Sequence, residues 1–175
     1  MKPAARLKST AGREPFNIAI VVFSGVFVAV LALAAYWDRT IRVLHLFESV
    51  PYLAAAVLCV RSRKFGYALA FAAGAFWLWT AGTLTTFVRN GFERLAVLVT
   101  TGHLDRPDIL IAVPAAIATA GLAVCGLWSY WRLPDKKWRD LGAFIVALML
   151  VAAWFVGIFA LFAPRYLGMF RRILP

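Results

Sequence analysis

Apolar residues in this chain come in long unbroken runs, not in alternation. Phe16 to Trp37 carries no charged residue. At about 1.5 Å of rise per residue, that length crosses about 30 Å of hydrocarbon as a helix. Phe65 to Val88, Ile109 to Trp131 and Leu141 to Ala163 are equally free of charge. A backbone in lipid must satisfy its hydrogen bonds internally, which leaves helices or a closed barrel. Barrel strands alternate apolar and polar positions over about ten residues, and these runs do not. The pattern therefore predicts helical spans over about 16–37, 65–88, 109–131 and 141–163.

A fifth run, Val43 to Val60, is near the shortest length that spans a bilayer, and it holds His45, Glu48 and Pro51. Arg39 and Arg42 precede it, and Arg61, Arg63 and Lys64 follow. As a span it makes a tight hairpin with the next helix; the alternative is a re-entrant or interfacial segment beside four spans. The five-span reading gives an all-α, polytopic membrane helix bundle over about 16–163, with a basic tail at 1–15 and an amphipathic basic tail at 164–175. Residues 91–101 place Phe92, Leu95 and Val99 on one helical side and predict a short interfacial helix. Asp108 and Asp140 stand where N-caps of the last two spans belong, and Trp37, Trp131 and Trp138 stand where amphipathic rings meet the membrane–water boundary.

Composition agrees with the pattern. The 175 residues are 63% hydrophobic and 15% charged, too apolar for a soluble domain and too apolar for a disordered chain. Two distant cysteines, Cys59 and Cys125, exclude a disulfide scaffold and a Cys-x-x-Cys redox pair. The net charge of +11 does not point to nucleic acid, because the basic residues sit in short clusters between the apolar runs. Such clusters mark a cytoplasmic side. With the N-terminus inside, eleven Lys and Arg fall inside and eight outside, and every lysine is inside. This orientation implies a multi-pass protein of a bacterial-type cytoplasmic membrane. Ala32-Leu33-Ala34 resembles a signal-peptidase triplet, but the apolar run before it exceeds the 7–15 residues of such segments, so it reads as an uncleaved span.

Small residues at four-residue spacing let helix backbones approach in lipid. Gly66, Ala70 and Gly74 form one such stripe, and Ala112, Ala116 and Ala120 another. They predict close packing of the third span on the fourth, or a face for a homo-oligomer. Trp77, Trp79 and Trp154 fall within spans, where each indole N–H needs a partner. They are candidates for an aromatic pocket that takes a flat hydrophobic ligand.

One polar constellation stands out. Arg42, His45, Glu48, Ser49 and Tyr52 share a helical side. Glu48 is the only acid inside a span, at a cost of roughly 2.5–3.5 kcal/mol on insertion scales, so it should face the bundle interior and pair with Arg42 or His45. Pro51 frees a carbonyl near Phe47 and Glu48. His103, the other histidine, belongs to the same membrane side together with Glu93, Asp105 and Asp108. Three readings compete: an electrostatic clasp, a proton- or substrate-linked site on Arg42, His45, Glu48 and Tyr52, or a mononuclear metal or haem site on His45 and His103. No Walker loop, Gly-x-Ser-x-Gly elbow or His-Glu-x-x-His motif occurs, and no cofactor is assigned. The sequence thus points to a non-enzymatic accessory or scaffold subunit whose partners are the bilayer and other membrane subunits. The alternatives are a small carrier or hydrophobic-ligand-binding protein centred on Glu48, and a haem or metal subunit.

Overall fold

The computed structural model describes residues 14–61, 63–133, 137–164 and 168; the basic tail at 1–13 and nearly all of the C-terminal tail lie outside them. The described residues are helical, with no strand among them. In chain order the helices are α1 (Glu14–Trp37), α2 (Arg42–Glu48), α3 (Val50–Val60), α4 (Lys64–Thr83), α5 (Phe87–Thr101), α6 (Pro107–Leu110), α7 (Ala112–Trp131) and α8 (Trp138–Phe162). A single 3₁₀ turn, Arg39–Ile41, joins α1 to α2. Five stretches are long and apolar enough to cross a membrane: Pro15–Trp37, Arg39–Val60, Lys64–Thr83, Pro107–Trp131 and Asp140–Phe162. The chain is thus a helical membrane bundle of five spans, and the short run around Glu48 is long enough to be one of them.

Two of these spans are interrupted. The second breaks at Ser49, between α2 and α3, and the fourth at Ile111, between α6 and α7. A proline follows each break, Pro51 and Pro114. Proline has no N–H to return to the carbonyl four residues back, so the ladder opens at Phe47 and at Leu110.

The core forms around α4, which packs against α3, α7 and α8, while α1 lies against α3 and α7. α4 is also the most enclosed span, with 61% of its most apolar stretch buried against 28% for α1. Its buried face is mostly alanine and glycine, among them Ala68, Ala70, Ala72, Ala73 and Gly74. Without a hydrophobic driving force in lipid, that smooth face lets neighbouring backbones close to contact distance.

The predicted packing of the third span on the fourth is present, and its closest approaches on α7 lie at Thr119, Ala123 and Gly126. A Cβ on Gly126 would lie 2.6 Å from the Tyr67 carbonyl, and one on Gly74 would meet the Thr119 carbonyl and lie 2.9 Å from the Ala123 nitrogen. The α7 face toward α4 is therefore Thr119, Ala123 and Gly126. Ala112 instead meets Gly91 of α5, Ala116 is buried, and Ala120 is half-buried. Gly66 serves α3, where a Cβ would come within 2.9 Å of Leu58 and Cys59. The reason is rotational. At about 100° per residue, a four-residue step drifts by about 40°, so Gly66 and Gly74 point about 80° apart.

Ion pairs and caps secure the helix ends. Lys64 pairs with Asp140 at 3.1 Å, tying the start of α4 to that of α8. Asp140 is not the N-cap expected of it; it sits inside the first turn and accepts the Lys137 backbone N–H at 3.0 Å, as a capping-box acid does. Asp108 is likewise inside α6, where it takes a two-pronged bond from Arg106 (3.0 and 2.9 Å). That carboxylate holds the Arg106 guanidinium above its ordinary value. The helix expected over 91–101 is present as α5, which begins earlier at Phe87 and is closed by Gly102 in the left-handed region at φ 69°. Of its residues Gly91 is buried and Leu95 half-buried against the bundle, whereas Phe92 and Val99 are exposed.

Candidate functional site

A cavity of about 400 Å³ lies at the end of the bundle where α1, α4 and α8 finish and α2 and α7 begin. Each wall is one helical face. From α1 come Phe27, Leu31, Ala34 and Trp37, from α4 come Trp77, Thr80, Ala81 and Leu84, and α8 adds Phe159. Phe27 and Trp37 are ten residues apart, so the cavity reaches about 15 Å into the bundle. Phe27 and Trp77 close its deep end edge to face, with ring centroids 5.2 Å apart. Tyr52 lies behind Phe27 at 4.3 Å and donates its hydroxyl to the Ala73 carbonyl at 3.2 Å, fastening α3 to α4.

The fourth wall is α2 with the turn before it, which presents Leu44, His45 and Glu48 from the helix and Ile41 from the turn. Glu48 is 6% exposed. Nδ1 of His45 lies 2.8 Å from Oε2 of Glu48, one helical turn apart. The two share one hydrogen bond, whose donor depends on the imidazole tautomer. Oε1 of Glu48 accepts no hydrogen bond among the described residues, and the side chain borders the cavity. Asp38 and Asp108 stand at the mouth. Asp38 accepts from the Thr40 backbone and hydroxyl at 2.9 and 2.7 Å.

Of the polar constellation, His45 and Glu48 meet directly, whereas Arg42 and Tyr52 do not join them. Arg42 donates Nε to the Ala35 carbonyl at 2.8 Å, taking up one of the carbonyls that the end of α1 leaves without a helical partner. It lines a second hollow of about 210 Å³ between α1 and α2, with Val28, Ala32 and Leu46. His45 and Leu31 border both hollows and separate them. Ser49 turns back to the Leu46 carbonyl at 2.7 Å.

The three intramembrane tryptophans are not gathered at one pocket. Trp77 lines the cavity; Trp79 is on the outer side of α4 at 44% exposure and packs on Phe76 at 5.8 Å. Trp154 donates Nε1 to the Phe47 carbonyl at 3.0 Å. That carbonyl is the one Pro51 leaves without its helical donor, so an α8 side chain repairs the break in the second span. His103 is exposed, its backbone N–H on the Thr101 hydroxyl at 3.2 Å, and it does not line the cavity. Among the described residues no group of three His, Cys, Asp or Glu side chains is placed to hold a metal ion. The residues that pattern reading missed are Phe27, Thr80, Ala81 and Phe159. As ordinary members of apolar runs they carry no signal until the helices are rotated against each other.

Fold and cavity together define a small helical membrane protein with a buried acid, Glu48, beside an apolar hollow. No protein-family model, curated protein or solved structure matches the chain.

Proposed function

We propose that the protein binds and carries a hydrophobic small molecule within a bacterial-type cytoplasmic membrane, with its N-terminus cytoplasmic. The ligand occupies the 400 Å³ cavity, and the His45–Glu48 pair is its polar, proton-exchanging anchor. The observation that carries this reading is that Glu48, the one acid deep in a span, borders that cavity with one oxygen on His45 and the other unpartnered. A clasp alone needs no hollow beside it. The volume falls within the range of small-molecule sites, and the lining has their character of apolar walls with a few convergent polar groups. A span interrupted near mid-membrane is also where carriers place their ligands. Glu48, beside the Ser49 interruption, lies near the middle of Arg39–Val60 and lines the cavity. An accessory role on other subunits would rest on outer faces such as Ile145 and Met149 of α8. Lipid covers such faces as well as protein does, so they do not favour it.

The test is photolabelling in lipid nanodiscs with 3-trifluoromethyl-3-phenyldiazirine, a neutral hydrophobic probe, followed by mass-spectrometric mapping. Label is expected on peptides holding Leu44–Glu48 and Trp77–Phe87. Ala81→Phe, which fills the cavity, should remove it with the melting temperature kept. Label confined to lipid-facing positions such as Ile145 and Met149, and equal in both proteins, would overturn the reading.

A further inference from the structure

We infer that the cavity's ligand is a lipophilic cation, an amine or quaternary ammonium on an aromatic or branched apolar body. This rests on the ligand-binding reading above and names its substrate class. Four observations carry one sign of charge into the hollow. First, Glu48 is buried at its deep end and offers Oε1, which accepts no hydrogen bond among the described residues. Second, the other two acids of the lining are engaged elsewhere, Asp38 by Thr40 and Asp108 by Arg106, so the acceptor left open to a ligand is on Glu48. Third, among the described residues no lysine or arginine lines the cavity. Arg42 is turned away to the Ala35 carbonyl, behind the His45–Leu31 partition, and Arg106 is engaged by Asp108. Fourth, the walls carry Phe27, Trp37, Trp77 and Phe159, aromatic rings whose faces attract cations.

An anion in this hollow would meet the Glu48 carboxylate with only His45 beside it among the described residues. A neutral apolar molecule would fill the volume but leave Glu48 Oε1 without a partner, in a medium where an unmet polar group is costly. A cation at Oε1 supplies that partner, and the apolar walls take up its body. The short α2 helix makes this possible. Pro51 opens the ladder only at the Phe47 carbonyl, and the inner face of α2 just before that point brings His45 and Glu48 to the cavity.

The experiment uses the full chain in nanodiscs and three competitors of matched shape against the diazirine label. They are biphenylmethyl-trimethylammonium, its neutral carbon isostere neopentylbiphenyl, and biphenylmethanesulfonate. The quaternary compound cannot exchange a proton, so it isolates charge. It is expected to block cavity labelling at a bilayer concentration about tenfold or more below that of the other two. In Glu48→Gln the ratio of cation to neutral isostere should collapse toward one. If that variant does not fold, the ratio in the natural protein decides alone. Equal or better blocking by the sulfonate, a tenfold preference that survives Glu48→Gln, or label that none of the three displaces would overturn the inference while leaving a binding cavity. Absence of cavity label without any competitor would instead overturn the ligand-binding reading, and this inference with it.

Discussion

The bond from Trp154 to Phe47 offers a quantitative check on how the broken second span is held. Pro51 cannot donate to the Phe47 carbonyl, and the indole of Trp154 does so from α8, 107 residues away in sequence, at 3.0 Å. Trp154→Phe keeps an aromatic ring on Phe47 and removes only the donor. A hydrogen bond between helices in lipid contributes about 0.6 kcal/mol on average and up to about 1.7. Leaving a buried carbonyl unmet costs about 1–3 kcal/mol. Because Trp154 and Phe47 are each 36% exposed, the effect should fall toward the lower end, near 1 kcal/mol. In a Pro51→Ala background, the restored N–H at position 51 can bond the Phe47 carbonyl, and Trp154→Phe should then cost close to nothing. The coupling of about 1 kcal/mol corresponds to about a fivefold change in the folding equilibrium. Four proteins unfolded reversibly by SDS in mixed micelles would measure it. Equal losses from Trp154→Phe in both backgrounds would refute the idea that α8 repairs the proline break.

Other outcomes follow from the same contacts. Gly126→Ala pushes a methyl to within 2.6–2.7 Å of the Tyr67 carbonyl and Phe71 nitrogen, both backbone atoms, and should cost about 1–3 kcal/mol. Gly157→Ala meets nothing within 4 Å and should leave the intrinsic-tryptophan melting curve nearly in place. Lys64→Met removes a half-exposed ion pair and should cost under about 1 kcal/mol. Asp140→Ala should cost more, since it also strips the acceptor from the Lys137 N–H; equal losses in the melting curve would remove the capping role. Reporter fusions at the two chain ends should lie on opposite sides of the membrane, as five crossings require, and both ends on one side would defeat that topology.

Several features could be read without coordinates. The runs that became α1, α4, α7 and α8 were legible to within a few residues. The largest departure is α4, which ends at Thr83, ahead of a predicted end at Val88. The threonines at 83, 85 and 86 carry no charge, so hydropathy alone could not mark that stop. The pairing of Glu48 with His45 was also within reach, because an i, i+3 spacing on a helix fixes neighbours locally. The partner of Arg42 was not, since the Ala35 carbonyl is exposed only by where α1 ends. The α7 face built on Thr119, Ala123 and Gly126 lay open in the sequence as an i, i+4, i+7 set of small residues, but the all-alanine stripe concealed it.

That this chain crosses a membrane as helices, and where its spans fall, followed from the residues alone. Backbone hydrogen bonds unmet in lipid impose a local rule, and bilayer thickness sets the length. The cavity, its aromatic floor and the route by which Trp154 reaches Phe47 depended on the rotation of each helix against its neighbours. Nothing in an apolar run encodes that rotation singly. It emerges when the small-residue faces of α4 and α7 close together and the inner face of α2 is turned toward the hollow.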